Sequence, residues 1–406
     1  MRALLTTGLS HWGFGRFNRS SRPSIGEFKA SADSYYIYFF RLRISLCCRP
    51  IAFIMTTLTR MTLRAFPSST SRAAPRTLMA TSRLQTLSRD IQPRAIYTPV
   101  TQRTFTTTSN MSSPNNNDAF KLSELFNVKD KVVVVSGGGS GIGLMATQAF
   151  AVNGAKVYII GRTKEKLDKV AEIYGKDIPG QIIPIQGDIS KKESIAAMVK
   201  EIESKEKCVC ILVNNAGVSS NTMQTEAKTA EEMKANLFDN PDSNIEDWTD
   251  TYKTNVPQCF FMTMGFLPLL QKASEHQHGF SGCVINVCSI SGIVKTAQHH
   301  FAYNASKAAV IHLTKMLGFE IGNNGLKVRV NSIAPGVFPS EMTQGESGEN
   351  QKSELPKEDF EGKVFAQRPG NDRDLGNAMI FVASNQYLNG QAIAVDGGYI
   401  LQHGSA

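Results

Sequence analysis

From Lys131 onward, short apolar runs of strand length alternate with longer amphipathic stretches of helical period. The first run, Val132–Val135, is continuous rather than alternating, which is the pattern of a strand covered on both faces. Similar runs at Lys156–Ile160, Gln181–Ile185, Val209–Val213, Cys283–Val287, Lys327–Ile333 and Gln391–Val395 predict further strands. Between them, helical patterns begin at Gly141, cover Thr163–Tyr174, follow Ser190 as a candidate N-cap, and cover Ile245–Gln271, Phe301–Ile321 and Asp372–Ser384. Strands that alternate with helices predict an α/β fold with one doubly wound parallel sheet of about seven strands. Right-handed crossovers then put helices on both faces. No second domain or internal repeat is visible, so residues 127–406 read as one domain, preceded by a linker at 111–126 whose Met111–Asp118 part looks flexible.

Charge changes the picture at the other end of the chain. The 406 residues carry a formal +9, but residues 1–110 hold 15 Arg, one Lys and three acids (Glu27, Asp33, Asp90). That segment is net +13, which leaves −4 for the remainder. A mildly acidic body has no charge with which to grip a phosphate backbone, which argues against nucleic-acid binding. Residues 1–110 are Arg-, Ser- and Thr-rich and nearly free of acids, the composition of a disordered basic transit peptide. Arg103-Thr104-Phe105-Thr106-Thr107-Thr108 is similar to a two-step mitochondrial presequence cleavage site, so the mitochondrial matrix is the expected location. Met55 and Met61 are alternative starts that would leave residues 1–54 untranslated, and initiation at Met111 would give a cytoplasmic form. Tyr35–Met55 is apolar but broken by Arg41, Arg43 and Arg49, so no integral membrane segment is expected. The cysteines of the body (Cys208, Cys210, Cys259, Cys283, Cys288) read as small buried hydrophobes. The spacing of Cys208 and Cys210 suits neither a zinc site nor a redox pair, and His299-His300 is isolated and expected to be exposed, so no metal is expected.

The first strand runs into Ser136-Gly137-Gly138-Gly139-Ser140-Gly141-Ile142-Gly143 and then a helix. Glycines at that point allow a tight turn and close approach of backbone to a pyrophosphate, and the helix aims free N–H groups and its positive dipole end at the anion. A glycine run alone says little; one placed between a strand and a helix in a βαβ unit points to a dinucleotide site. The end of the second strand selects the cofactor. An acid there would accept from the ribose 2′-OH, and an Arg would pair with a 2′-phosphate. The chain reads Ile160-Gly161-Arg162-Thr163-Lys164, with no acid until Glu165, which predicts NADP(H) with Arg162 as the phosphate clamp.

Over residues 127–400 the chain resembles the short-chain dehydrogenase/reductase family, whose domain is a Rossmann-type fold. Ser136-Gly137-x-x-x-Gly141-x-Gly143 matches the family's glycine motif, with Ser in place of the usual Thr. By the same resemblance, Asp188 contacts adenine, and Asn215, Ala216 and Gly217, in Asn214-Asn215-Ala216-Gly217, lie on the adenosine side. Pro335-Gly336 belongs to the segment that holds the nicotinamide carboxamide, with Phe338 acting through its backbone and Ser340 through its hydroxyl. Ser140 and Ile142 complete the cofactor turn.

Tyr303 and Lys307, in Tyr303-Asn304-Ala305-Ser306-Lys307, fall on one face of a helix. A cation beside a phenol favours its phenolate, which suits proton exchange near neutrality. Ser289 matches the family's catalytic serine, with Ser291 as its rival, and Asn255 matches the helix Asn that holds a proton-relay water. The resemblance implies hydride transfer to a ketone: Ser289 binds the carbonyl oxygen, Tyr303 gives the proton, and Lys307 also binds the nicotinamide ribose. The expected activity is an NADP(H)-dependent carbonyl reductase or alcohol dehydrogenase, similar to 3-oxoacyl-acyl-carrier-protein reductases, acting on a small-molecule or acyl-thioester carbonyl. A reductase of secondary metabolism or of a polyol or ketose is the second reading. A non-catalytic dinucleotide-binding scaffold is disfavoured because Tyr303 and Lys307 are both present. The family also implies a homo-oligomer, a tetramer or a dimer.

Two intervals depart from the family pattern. The polar Thr222–Asn240 stretch lengthens the path from Gly217 to Asn255, and reads as a solvated excursion or as a rim over the site. Residues 341–367 correspond to a mobile lid, with Met342, Leu355, Phe360, Val364 and Phe365 as candidates to face inward.

Overall fold

The computed structural model describes residues 116–405. The readings made of the basic leader at 1–110 lie outside the described residues. The core is a seven-stranded sheet in the order β3-β2-β1-β4-β5-β6-β7, with every neighbouring pair parallel. Its strands are β1 (Val132–Ser136), β2 (Lys156–Gly161), β3 (Gln181–Gln186), β4 (Ile211–Asn214), β5 (Gly282–Val287), β6 (Val328–Pro335) and β7 (Ala392–Val395). The helices used below are α1 (Gly141–Val152), α2 (Lys164–Tyr174), α3 (Lys192–Lys205), α4 (Ala230–Leu237), α5 (Ile245–Asn255), α6 (Pro257–His276), α7 (Phe301–Asn323) and α8 (Asp372–Ser384).

The valines of β1 show why the first run is continuous. Val133 and Val135 pack with Leu144 of α1, Leu167 of α2 and Leu375 of α8. Val132 and Val134 pack on the other face with Ile195 of α3, Phe266 of α6 and Leu317 of α7. Successive residues of a strand point to opposite faces, so a sheet buried on both sides needs apolar residues at each position. From β1 the chain leaves in one direction to β2 and later returns to β4 on the other side. Ser136 and Asn214 end these neighbouring strands in register, and a crevice opens where the strand order reverses.

Several expectations need correction. The expected helix Ile245–Gln271 is two helices, α5 and α6, broken at Val256. Pro257 has no N–H to give to the preceding turn, and the Cys259 N–H bonds the Val256 carbonyl instead. Ser190 does not cap α3; Lys191 holds that position without a side-chain bond, and the Ser190 hydroxyl donates to Asp188 at 2.7 Å. In the described part of the linker, Asn117–Phe120 and Leu122–Leu125 form two short helical turns with no buried residue. The Thr222–Asn240 excursion contains α4, started by Thr229, whose hydroxyl accepts from the Glu232 N–H at 3.1 Å. Strand and helix limits otherwise shift by a residue or two; β4 begins at Ile211 rather than Val209. Among the described residues no helix is long and apolar enough to cross a membrane.

Candidate active site

The crevice at the carboxyl ends of β1 and β4 is a cavity of about 420 Å³. One side is the glycine turn. Gly137 has φ +67° and Gly141 φ +51°, both in the left-handed region that favours glycine. Gly143 is fixed by packing, since a Cβ there would lie 2.0 Å from the Gly137 carbonyl oxygen. Ser136 lies beneath the turn and does not line the cavity. Its hydroxyl accepts from the Asn215 and Ala216 N–H groups at 3.0 and 3.2 Å, and so ties the end of β1 to the segment after β4. The Asn215 side chain returns the bond, donating to the carbonyls of Ser136 and Gly137 at 3.0 and 3.2 Å. Ser140 occupies the N-cap of α1 without a side-chain cap bond, so the first-turn N–H groups stay available to an anion.

The cavity runs from that turn in two directions. One end holds Arg162, exposed at the end of β2, with Lys166 and Asp188. The Asp188 carboxyl is held below its usual range by bonds from the Ser190 hydroxyl and N–H, with Lys191 and Arg162 adding to the effect. The other end holds Tyr303 and Lys307, on α7, beside Val287 and Cys288 at the end of β5. Lys307 is 4% exposed. Its ammonium lies 5.5 Å from the centroid of the Tyr303 ring and donates to the Val287 carbonyl at 3.1 Å. Gly217 keeps that side open, since a Cβ there would fall 3.4 Å from Lys307 Nζ and 2.9 Å from Asn255 Oδ1.

Of the residues singled out from the sequence, Gly137, Ser140, Gly141, Ile142, Arg162, Asp188, Asn215, Ala216, Gly217, Tyr303, Lys307 and Ser340 line this one cavity. The others stand behind it or away from it. Ser289 is the next residue after the lining Cys288; it is 8% exposed, and its hydroxyl accepts from the Ser291 N–H at 3.1 Å. Ser291 turns its own hydroxyl to Gln298 at 2.8 Å, and Gln298 in turn donates to Tyr399 at 3.0 Å. Asn255 stands behind the cavity, 1% exposed. Its amide is used by the fold, accepting from Val218 N–H at 2.9 Å and donating to the Val218 carbonyl and to Ser306 at 3.0 Å each. The break before Pro257 turns the Asn255 carbonyl out of the helical ladder, where it accepts the Cys259 thiol at 3.6 Å. Pro335 ends β6 and Gly336 follows it, packed against Asp396, whose Cα would lie 2.8 Å from an added Cβ. Phe338 lines a second cavity of about 390 Å³, and its carbonyl accepts from the Thr343 hydroxyl. The Ser340 hydroxyl lies 3.2 Å from the Thr343 hydroxyl, in a capping box at the start of the turn Glu341–Gln344.

Sequence reasoning passed over Lys166 as a lining residue, and named Glu341 only as the start of the lid. Lys166, a cation four residues after Arg162 in the first turn of α2, was the available signal. Of the lid's apolar residues, Met342 lines the cleft, Phe360 and Val364 line the second cavity, and Phe365 is 61% exposed. His299 and His300 are half-buried rather than exposed. His299 Nδ1 meets the Met223 carbonyl at 3.0 Å, and Met223 N–H bonds the His299 carbonyl at 2.8 Å. The root of the polar excursion is thereby clamped to the loop that enters α7. Cys259 and Cys288 have thiols pushed up by burial, Cys259 to about 12, which makes them poor nucleophiles.

A glycine cradle, an uncapped helix N-terminus and cations at both ends of one elongated cleft fit a nicotinamide dinucleotide. The family model for short chain dehydrogenases matches residues 131–351. The chain is 39% identical over 284 residues to the short-chain dehydrogenase/reductase PhomF of Diaporthe leptostromiformis, covering 68% of this chain and 93% of that one. It is 28% identical to the 3-oxoacyl-acyl-carrier-protein reductase FabG of Thermotoga maritima, over 68% and 99% of the two chains. Among solved structures, the Pseudomonas aeruginosa RhlG/NADP active-site complex matches with a TM-score of 0.56 and 27% identity, over 68% of this chain and 98% of that one. The chain therefore belongs to the short-chain dehydrogenase/reductase family. These are oxidoreductases that bind a nicotinamide dinucleotide and act on CH–OH and C=O groups.

Proposed function

We propose that this protein is an NADP(H)-dependent carbonyl reductase, and that its substrate is a 3-oxoacyl thioester. The observation that carries the reading is that Tyr303 and Lys307 line the same cleft as the glycine turn and Arg162. A nicotinamide dinucleotide held by the glycine turn, Arg162 and Lys307 would supply the hydride for the carbonyl carbon. Negative charge grows on the carbonyl oxygen, and the Ser289 hydroxyl donates a hydrogen bond to it. Tyr303 gives its phenolic proton to that oxygen, which completes the alcohol. Lys307, whose ammonium lies 5.5 Å from the Tyr303 ring centroid, would bind the nicotinamide ribose hydroxyls. Asn255 supports the proton supply behind Lys307, its amide tying Val218 to Ser306 beside that lysine. Arg162 pairs with the 2′-phosphate, and no acid stands at the end of β2 to oppose it.

The thioester assignment draws on the likeness to FabG, and the cofactor assignment on the likeness to the RhlG/NADP complex. The test is NADPH oxidation by purified residues 111–406 with acetoacetyl thioesters, diketones and ketoses. Turnover of the thioesters with NADPH well above NADH supports the reading. Turnover of ketoses alone moves the substrate class, and binding of NADPH without turnover of any of them supports a scaffold. Exposed aromatic and apolar residues on α5 (Trp248, Tyr252), α6 (Phe260, Phe261) and α7 (Met316, Phe319) support assembly as a dimer or tetramer, which light scattering reads directly. The basic leader supports delivery to the mitochondrial matrix; a fluorescent protein fused behind residues 1–126 tests that.

A further inference from the structure

The lid meets the cofactor cleft through a carboxylate. Glu341 opens the single helical turn Glu341–Gln344 and lines the cavity rather than pointing to solvent. Its Oε1 accepts from Lys166 Nζ at 2.6 Å and from the Ser347 hydroxyl at 2.6 Å, and the Ser140 hydroxyl helps to favour its charged form. The backbones carrying these groups lie close together. A Cβ at Gly139 would stand 3.7 Å from the Lys166 Cβ, and one at Gly141 would stand 2.9 Å from the Ser340 Cβ. An ammonium and hydroxyls beside an uncapped helix start form a donor set suited to an anion. Burial works against the charged carboxyl, but Lys166 and the two hydroxyls outweigh it and hold its pKa below the usual value. The carboxylate thus sits ionised in the same cavity that Arg162 lines.

We propose that Glu341 is a built-in competitor for the cofactor's 2′-phosphate: it occupies Lys166 in the empty cleft and yields that ammonium to the phosphate when NADP(H) enters. This rests on the NADP(H) reading above. The Lys166 and Glu341 side chains are 43% and 30% exposed, so their pair is weak enough to exchange partners. A phosphate held by Arg162 and Lys166 together gains more than the carboxylate loses. The exchange also links charge recognition to the lid, because the same carboxylate ties the start of residues 341–367 to α2. A cofactor without the 2′-phosphate leaves the Lys166–Glu341 pair intact.

The test compares two matched ligand pairs: NADPH with NADH by fluorescence titration, and 2′,5′-ADP with 5′-ADP by calorimetry. The proteins are wild type, Glu341→Gln, Lys166→Met and the double variant. Glu341→Gln keeps the side chain's size and hydrogen-bonding shape and removes only its charge. It is expected to tighten NADPH and 2′,5′-ADP by about two- to fivefold, with NADH and 5′-ADP unchanged. Lys166→Met weakens the two phosphorylated ligands by about tenfold, and in that background Glu341→Gln has no effect. Equal shifts for both members of a pair, looser NADPH binding in Glu341→Gln, or additive effects in the double variant each overturn the inference. A wild-type preference for the phosphorylated ligands that Glu341→Gln leaves unchanged overturns it alone. Equal wild-type affinity within both pairs overturns the NADP(H) reading and this inference together.

Discussion

The two ends of the cleft are built to different standards. At the Tyr303–Lys307 end the supporting groups are buried and each has a fixed partner. Asn255 locks Val218 to Ser306, Lys307 is bonded to Val287, and behind them Asn214 donates to Asn286 and Asn286 to Thr314, at 2.9 Å each. At the Arg162–Lys166 end the side chains are exposed or half-buried, and the holding interaction is one ion pair that solvent reaches. In the proposed reaction, charge develops at the first end, and donors there help only if they are aimed before the reaction starts. At the second end a formed charge is merely recognised, and an adaptable cation is enough.

The largest effect expected from breaking this comparison is at the deep end. Tyr303→Phe should lower kcat by about 10²- to 10⁴-fold while NADPH affinity, read by fluorescence titration, stays near wild type. Near-full turnover in that variant would refute the proposed proton donor. At the exposed end, Arg162→Ala should cost about 10- to 100-fold in NADPH affinity and leave NADH binding little changed, since a charge-assisted bond is lost without a buried partner being orphaned. Equal loss for both cofactors would place the Arg162 contact elsewhere on the dinucleotide.

A smaller effect separates support from chemistry. Asn286→Ala leaves the Asn214 amide and the Thr314 hydroxyl short of a partner in the core, and should destabilise the fold by about 1–3 kcal/mol in urea unfolding. An unchanged unfolding midpoint would show that the buried chain contributes nothing net. The smallest effect lies beyond the lid. Arg368 donates to both carboxylate oxygens of Asp374, at 2.6 and 3.2 Å, and holds its pKa below the usual value. A lowered folded-state pKa gives stability that is present above the ordinary carboxylate range and disappears as pH falls through the folded value. Because the pair is partly exposed, Asp374→Asn should cost less than about 1 kcal/mol at neutral pH. The difference from wild type should vanish in acid; a difference that persists at about pH 2 would assign the cost to the helix cap instead.

The glycine turn, the strands and the Tyr303–Lys307 pair were legible because each depends on local geometry: φ above zero, alternation on a doubly covered sheet, and four-residue spacing on a helix. The α5–α6 break was legible in Pro257 but was overridden by the apolar period that runs through it. The engagement of Asn255, Ser340 and Ser190 with neighbouring backbone and side chains was not, because a polar side chain's partner depends on which loops the sheet brings beside it.

By itself, then, the sequence determined the class of fold, the order of its elements and the residues able to carry hydride-transfer chemistry. Only the tertiary structure decided which of them share one cavity, that the Asn255 amide is already spent, and that a lid carboxylate meets a helix cation 175 residues away in the chain. Local periodicity is set by nearest neighbours along the backbone. Partnership between side chains is set by the parallel crossovers, which join segments that no spacing in the chain connects.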